Sequence, residues 1–396
     1  MNRIEKLINE LCPDGVEFKE LGEVCEIADN KRKPIKSSLR ITGNIPYYGA
    51  NNIQDYVEGF THKGEYILLA EDGSASLENY SVQYVNGKFW ANNHVHVIRG
   101  KEEILNRFLF HWFKNMNFIP YLTGGTRAKL TKTKMVQIKI PIPPLPVQEE
   151  IVKILDNFTE LEAELEAELE ARKKQYEYYR EELLTFEDHE VEYAILGELC
   201  KIGDGLHGTP KYNSSGKFYF INGNNLKKGK LVFEENTKKV DKEMFIKHGI
   251  EFPPDKTLFM SINGTIGSVA FFAGESIVLG KSVAYFILNS TSLDLKFLYY
   301  LLQTTFANNY YETQKTGATI KNLGLKALRK FKIPLPYKNG KPDLEKQKQI
   351  VAILDKFDAL VNDISEGLPA EIKARRKQYE YYREKLLTFK EKEQSE

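Results

Sequence analysis

ARKKQYEYYREELLTF, at residues 171–186, returns as ARRKQYEYYREKLLTF at residues 374–389, with 14 of the 16 positions identical. A repeat of this quality is read first, because it sets the number and order of structural units. Upstream of each copy lies a matching helix start, QEEIVKILDNF from Gln148 and QKQIVAILDKF from Gln347. Before each start comes a proline-punctuated strand exit, KIPIPPLP and KIPLPYKNGKP. Proline pushes the residue before it towards extended backbone and is tolerated in a helix only in the first turn. Each repeat is therefore predicted as a long helix entered through a proline hinge.

The apolar positions say what kind of helix this is. Ile151, Ile154, Phe158, Leu161 and Leu165 step by three and four, and Leu169, Arg172, Tyr176, Tyr179, Leu183 and Phe186 continue the stripe. The second copy runs Ile350, Ile353, Phe357, Leu360, Ile364, Leu368, Ile372, Tyr379, Tyr382, Leu386 and Phe389, with Gly367 and Pro369 predicting a break. This is a heptad seam, and the partner expected to bury it is its own duplicate. Residues 149–170 carry nine acidic side chains and one lysine, whereas Lys373, Arg375, Arg376, Lys377, Arg383 and Lys385 crowd the far end of the second copy. Antiparallel packing brings these opposites together; parallel packing would set like charges side by side.

The 396 residues suffice for two or three domains, and 42% hydrophobic content is ordinary for a globular chain. Three cysteines without a CxxC spacing argue against a disulfide framework or a zinc site and favour a reducing, cytoplasmic setting. MNRIEKLINEL has no signal-like apolar core, and no apolar run approaches a membrane span. The net charge of +1 divides unevenly: +3 over residues 1–145, −10 over 146–190, +7 over 191–335 and +1 over the remainder. A polyanion would be met by the globular parts and not by the first helix.

The duplication extends beyond the helices. VEF at 16–18 and LGEVCEI at 21–27 match VEY at 191–193 and LGELCKI at 196–202, and Leu7 and Ile8 stand before the first globular region as Leu183 and Leu184 stand before the second. Strands are predicted at 66–70, 81–85, 94–98 and 136–140, with a helix at 103–113; the second region offers strands at 230–233, 257–262 and 282–288 and a helix at 295–302. The fold class expected is α+β. Two pseudo-twofold-related globular domains, residues 1–145 and 189–337, alternate with two long antiparallel coiled-coil helices, residues 146–188 and 338–396. The middles of the two domains scarcely resemble each other, whereas the helices are nearly constant.

Each globular region ends in a loop of one character, LTGGTRAKLT at 122–131 and QKTGATIKNL at 314–323. Glycine lets backbone approach a ligand, and Thr126, Arg127, Lys129, Thr319 and Lys321 supply donors and cations suited to phosphates and base edges. Asparagines cluster beside strands: Asn51 and Asn52, Asn92 and Asn93, Asn224 and Asn225, and Asn263 with Thr265. Asparagine can bond an adenine edge in a bidentate manner, and equally it can build a turn. His94 and His96 share a strand face, but no third metal ligand is apparent at a sensible spacing. Aromatic rings at Tyr176, Tyr178 and Tyr179, and at Tyr379, Tyr381 and Tyr382, lie on more than one helix face, so Tyr178, Tyr179, Tyr381 and Tyr382 are candidates for docking a partner subunit.

Catalytic signatures are missing. Pro143-Pro144 and Pro253-Pro254 lack the flanks of an amino-methylating motif, Gly280-Lys281-Ser282 lacks the upstream glycine of a phosphate-binding loop, and no Gly-x-Ser-x-Gly or His-Glu-x-x-His occurs. The chain reads as one that recognises without transforming.

With PIPPLPVQEEIVKILD, RKKQYEYYREELLTF and SEGLPAEIKARRKQYEYYREKLLTF in hand, the full chain resembles the specificity subunits of type I restriction–modification systems. The resemblance implies two target-recognition domains, each reading one half of a bipartite double-stranded DNA sequence. It implies an antiparallel helical spacer on which two methyltransferase subunits dock, joined by two motor–nuclease restriction subunits. S-adenosylmethionine, ATP and magnesium belong on this view to the partners, with no cofactor or metal bound by this chain. A free-standing DNA adenine methyltransferase and a structural coiled-coil scaffold are the alternatives; S-adenosylmethionine binding by the isolated chain would favour the first, and an absence of sequence-dependent DNA protection the second.

Overall fold

A computed structural model describes residues 3–124, 128–363 and 366–393. The helix expected from the first repeat runs unbroken from Leu145 to Leu183. The second copy is divided into Leu344–Asn362 and Leu368–Leu387, with the break where Gly367 and Pro369 announced it; Ile364 lies outside the described residues. Gln148 to Ala171 spans 23 residues and Gln347 to Ala374 spans 27, so the second copy holds about one more helical turn of sequence. The break absorbs that turn. Gly367 is required there, since a Cβ would stand 2.5 Å from the carbonyl oxygen of Ala359.

The chain forms two compact units, Met1–Leu165 with Ile372–Glu396, and Glu166–Glu371. Each contains one globular region and a pair of helical segments, one from each copy of the repeat. In unit 1 Phe158 stacks on Tyr382 with ring centroids 5.4 Å apart and meets Tyr379 at 6.4 Å, and one turn further on Glu162 pairs with Arg376. Rising numbers on one helix meet falling numbers on the other. The pair is antiparallel, and the acidic run faces the basic end of the second copy as the charge pattern required. In unit 2 Tyr179 stacks on Phe357 at 5.2 Å.

The single stripe read from the sequence divides in two. Val147, Ile151 and Leu155 are fully buried in the core of unit 1, and Ile350 and Leu354 are buried in that of unit 2, while Phe158 and Phe357 face the neighbouring helix. Ile353 and Leu360, counted as seam positions, are 42% and 37% exposed. A helix lying on both a domain and a second helix needs two adjacent apolar strips, and heptad counting merges them.

Unit 1 holds a six-stranded sheet in the order Cys25–Ile27, Val95–Gly100, His62–Ala70, Val82–Ala91, Thr42–Gly49, Asn52–Val57. All neighbours are antiparallel except Thr42–Gly49 on Val82–Ala91, where Tyr47 meets Trp90 and Tyr48 meets Ala91. Unit 2 holds a four-stranded antiparallel sheet, Cys200–Asp204, Val283–Leu288, Thr257–Ser261, Val269–Phe271, and a three-stranded sheet in which Phe218–Ile221 runs parallel to Ile277–Leu279. The frame is common to both: Cys25–Ile27 on Val95–Gly100 repeats as Cys200–Asp204 on Val283–Leu288, and the parallel pair repeats with Tyr48 answering to Ile221. Even the bond closing it recurs, Asn92 N–H to Tyr48 O at 3.1 Å and Gly280 N–H to Ile221 O at 2.8 Å.

Three local expectations are revised. Residues 136–140 are not a strand: Thr131 caps a helix at Lys132–Val136, and the strand is Lys139–Ile142, paired with Glu17–Glu20. The strand at 230–233 shrinks to Lys230–Leu231. The place of Leu183 and Leu184 is taken in unit 1 by Leu386 and Leu387, 7% and 5% exposed, and not by Leu7 and Ile8; Val16 N–H bonds Lys390 O at 2.9 Å just beyond them.

Two pairs of repeat-equivalent polar side chains join each helix start to its domain. Fully buried Gln148 accepts from Leu105 N at 2.9 Å and donates to Glu103 O at 2.9 Å and Pro143 O at 2.7 Å. Fully buried Gln347 accepts from Asp294 N at 2.8 Å and donates to Ser292 O at 3.0 Å. Asp156 then takes Arg107 Nε at 2.8 Å and His111 Nε2 at 2.6 Å, where Asp355 takes Lys296 Nζ and the Tyr300 hydroxyl, both at 2.6 Å. His111 and Tyr300 are buried, and burial holds the His111 ring below its usual pKa. The domain helices Asn106–Asn115 and Leu295–Leu301 are thereby registered against the constant helix in the same way.

Candidate nucleic-acid interface

In each unit the loops at one end of the sheets converge. In unit 1 the turn at 49–52, the loop 71–75, residues 92–94 and the segment around Lys129 meet. Asn51 donates to Gly73 O and accepts from Ala75 N, both at 2.7 Å; Glu71 N–H reaches His94 O at 2.9 Å; Lys129 forms a bridge with Asp72 and with Thr123. In unit 2 the same four places are residues 222–225, 262–267, 280–282 and 316–323. Gly223 N–H reaches Ser282 Oγ at 3.1 Å, Ile262 N–H reaches Ser282 O at 2.9 Å, and Asn322 bridges Asn263 and Thr316 as Lys129 bridges Asp72 and Thr123.

The frame matches while the chemistry differs. In unit 1 the centre is an interlocked charge cluster. Arg32 Nη1 meets Glu71 at 2.6 Å, Arg32 Nη2 meets Asp29 at 3.3 Å, Lys129 Nζ meets Glu71 at 2.7 Å, and His96 Nδ1 meets Asp29 at 2.6 Å with its Nε2 on Leu130 O at 2.8 Å. Burial alone would raise both carboxyls; the hydrogen bond from His96 and the Arg32 guanidinium hold Asp29 below its usual value, and the bonds from Lys129 and Arg32 do the same for Glu71. Asp29, Glu71 and His96 converge closely enough to form a metal-type ligand set, a grouping that His94 and His96 alone did not disclose. Arg32 and Lys129 already supply the positive charge this set calls for, so the set is an ion network, buried at Asp29 and His96 and reaching solvent at Lys129.

In unit 2 the corresponding residues border an open cleft of about 760 Å³, where Asp204, His207, Asn263, Lys281, Ser282 and Asn322 edge a mainly aliphatic lining of Ile262, Ile320, Leu323 and Leu325. His207 Nε2 pairs with Asp204 at 2.8 Å and its side chain is 75% exposed. Asn263 Oδ1 is buried without a partner among the described residues, an acceptor whose desolvation a donor from a ligand would relieve.

The remaining candidates divide by what their amides do. Asn52 has φ 131° and accepts from Ile53 N at 2.8 Å; buried Asn92 accepts from His94 N at 2.8 Å; Asn225 accepts from Asn222 N at 3.0 Å and donates to Val232 O at 3.0 Å. These three build turns with their own backbone. Asn93, Asn224, Thr265 and Thr319 are exposed at the loop surface. Lys321 is exposed with Nζ on Gly317 O at 2.9 Å, and its carbonyl accepts from Gly264 N at 3.0 Å. Thr126 and Arg127 lie outside the described residues. Arg32, Asp204, His207, Lys281, Ser282 and Asn322 were missed by sequence reading. Asp29 and Arg32 stand 175 residues before Asp204 and His207, so carrying the LGEVCEI match a few residues further would have reached three of the six, Arg32, Asp204 and His207.

On the spacer, Tyr178 and Tyr381 are 61% and 60% exposed, each edge-on to its neighbour, while Tyr179 and Tyr382 lie partly in the helix seam. Cys25 and Cys200 are buried, and burial pushes both thiols up to about 12, so neither is a nucleophile. No described helix is long and apolar enough to cross a membrane.

Two α+β units of common frame and divergent loops, carried on near-identical helices, define a two-domain recognition protein. The family described as type I restriction modification DNA specificity domain matches residues 13–171 and again 189–374. The chain is 47% identical over 98% of its length, and 98% of the relative's, to S.HindORF215P of Haemophilus influenzae, which is named as a type I restriction enzyme specificity subunit. It is 30% identical over 98% of its length to the EcoR124I/EcoR124II specificity subunit of Escherichia coli, covering 97% of that protein. In fold it is similar to the type I restriction–modification S subunit of M. genitalium, with TM-score 0.57, 14% identity and coverage of 94% of this chain and 96% of that one. The chain belongs to the specificity subunits of type I restriction–modification systems, which are non-catalytic DNA-recognition proteins. Nothing supports the free-standing methyltransferase reading.

Proposed function

We propose that each compact unit reads one half of a bipartite double-stranded DNA target through its converging loops, and that the constant helices hold the partner subunits. The observation that carries this reading is the shared frame with unlike loop chemistry: identical backbone bridges at Lys129 and Asn322 present a neutralised charge network in one unit and an open, mainly apolar cleft edged by polar side chains in the other. A frame kept while its loops diverge is what independent reading of two unrelated half-sites requires. In unit 2, Asn263, Lys281 and Asn322 are the base-edge readers, with Lys321 and His207 positioned for phosphates. In unit 1, exposed Asn93 and Lys129 take those parts, on a rim that Asn51 braces through Gly73 and Ala75.

Two methyltransferase subunits, which bring S-adenosylmethionine, dock on the spacer with Tyr178, Tyr179, Tyr381 and Tyr382 in the contact, and two restriction subunits using ATP and magnesium join them in the cytoplasm. A solved structure of similar fold, 17% identical to this chain, concerns complex assembly of a type I system, in keeping with this reading. Exchanging residues 190–335 for the matching region of another family member, followed by methylome sequencing of cells with the complete system, tests it: one half-site should change. A change in both, or in neither, would overturn the assignment.

A further inference from the structure

The repeat makes each surface of one unit a template for the other, and one surface does not match. In unit 1 the helix Arg3–Leu11 lies across the start of the long helix and the end of helix Leu368–Leu387. Ile4 is 3% exposed and Leu7 and Ile8 pack against the core. Arg3 Nε pairs with Glu150 at 3.2 Å and Lys385 Nζ with Glu5 at 3.7 Å. The fit leaves a largely apolar cleft of about 440 Å³ between Ile4, Ile8, Ile154, Phe158, Tyr382 and Leu386.

Carried through the repeat, the same surface in unit 2 is Gln349, Ile353, Phe357, Tyr179, Glu182 and Leu183. Among the described residues no helix of unit 2 answers to Arg3–Leu11, because the segment leading into its domain is the long helix itself, followed directly by Leu184, which sits in the core at 3% exposure. The apolar residues stay uncovered: Ile353 is 42% and Tyr179 36% exposed, where Ile154 and Tyr382 are partly buried. The charges change with the cover. The 16-residue tract differs between its copies at two positions only; Lys173 and Arg376 keep the charge, whereas Glu182 and Lys385 reverse it, and Lys385 pairs with Glu5. The other anchor, Glu150, becomes Gln349.

We propose that Arg3–Leu11 is a resident occupant of a helix-docking groove that unit 2 presents open. Unit 2 takes an amphipathic helix of a methyltransferase subunit, with aliphatic residues spaced as Ile4 and Ile8 are and a cation facing Glu182. Unit 1 takes a second one only by displacing its own helix, so the two docking faces of this repeated chain are unequal. A second copy's N-terminal helix is the wrong ligand for unit 2, since its Glu5 would face Glu182. Displacement is feasible because a nine-residue helix is too short to be stable in water by itself and is held only by its contacts. This inference rests on the reading of the chain as a docking subunit.

The test uses the full chain, a fluorescein-labelled peptide of residues 1–14, the same peptide with Glu5→Lys, and the methyltransferase subunit. At low salt the Glu5→Lys peptide should bind about tenfold more tightly than the native one, Glu182→Lys in the chain should reverse that order, Ile353→Asp should remove binding of both, and the methyltransferase subunit should displace the peptide. Native mass spectrometry should show the first methyltransferase subunit lost from the Ile353→Asp chain, and the second bound more tightly when Ile4→Asp frees the unit 1 groove. A complex that forms normally and ignores Glu182→Lys and Ile353→Asp, or a peptide indifferent to charge, overturns the inference alone. No complex with the wild-type chain overturns the docking reading and the inference together.

Discussion

Gln148 and Gln347 are each described by a few bonds, and those bonds set the size of a measurable difference. Gln148→Leu keeps nearly the same volume and removes three hydrogen bonds, leaving the Leu105 N–H without an acceptor and the carbonyls of Glu103 and Pro143 without this donor. An orphaned buried N–H costs about 1–3 kcal/mol, and a carbonyl less because its second lone pair can find another donor. The sum is about 3 kcal/mol. Gln347→Leu removes two bonds and should cost about 1 kcal/mol less. Hydrogen exchange read by mass spectrometry localises the effect: amides from Leu105 to Phe113 should exchange about 100-fold faster in Gln148→Leu, since each 1.4 kcal/mol is a factor of ten, with unit 2 unchanged. Gln148→Glu adds a check of sign. Its carboxylate would face two carbonyls, which raises the folded pKa above the unfolded value near about 4.3. The penalty is therefore full at neutral pH and fades as pH falls through the raised folded value. Unaltered exchange at Leu105, or equal effects at the two glutamines, would refute the reasoning.

Asp29 and Glu71 are held below their usual values, so their contribution to unit 1 is complete above pH about 4.5 and is lost as pH falls through the depressed values; Arg32→Gln should move acid unfolding of unit 1, followed by near-ultraviolet circular dichroism, to higher pH. Lys321→Ala should weaken DNA binding by the assembled complex equally across sequences and lower the slope of log affinity on log salt by about one, whereas Asn263→Ala should relax discrimination at a single position of one half-site by about 1–3 kcal/mol; uniform loss in both would remove Asn263 from the base readers. Deleting Leu165–Glu168 withdraws about 6 Å of helix and leaves about 40° of rotation beyond a full turn, close to the turn of one base pair. Methylation of substrates with graded gaps should show the preferred gap shorter by about one base pair, and an unchanged gap would mean the helix is not the ruler. Tyr178→Ala with Tyr381→Ala, both residues exposed, should impair assembly with the methyltransferase subunits without lowering thermal stability.

Much of this protein was settled by its repeats. Local periodicity and proline placement mark a helix before its packing is known, so the long helix, the break at Gly367, the two-unit plan and the antiparallel charge match were all readable in order along the chain. The frame of each domain was readable in part, because the LGEVCEI and KIPI segments recur with their pairing partners. That the loops carry glycine and asparagine was readable, but not what their side chains touch. Whether an asparagine builds a turn or waits for a ligand depends on which backbone groups lie within about 3 Å, and for Asn225 those are Asn222 and Val232, while Asn263 keeps a buried acceptor unpartnered. Contacts across long separations were invisible for the same reason. Glu71 and Lys129 are 58 residues apart, and nothing in either segment announces the other. The division of the apolar stripe between domain and neighbouring helix, and the cover that Arg3–Leu11 places on one groove but not its twin, were decided only by packing, because a residue's periodic position says which way it points and not what arrives there.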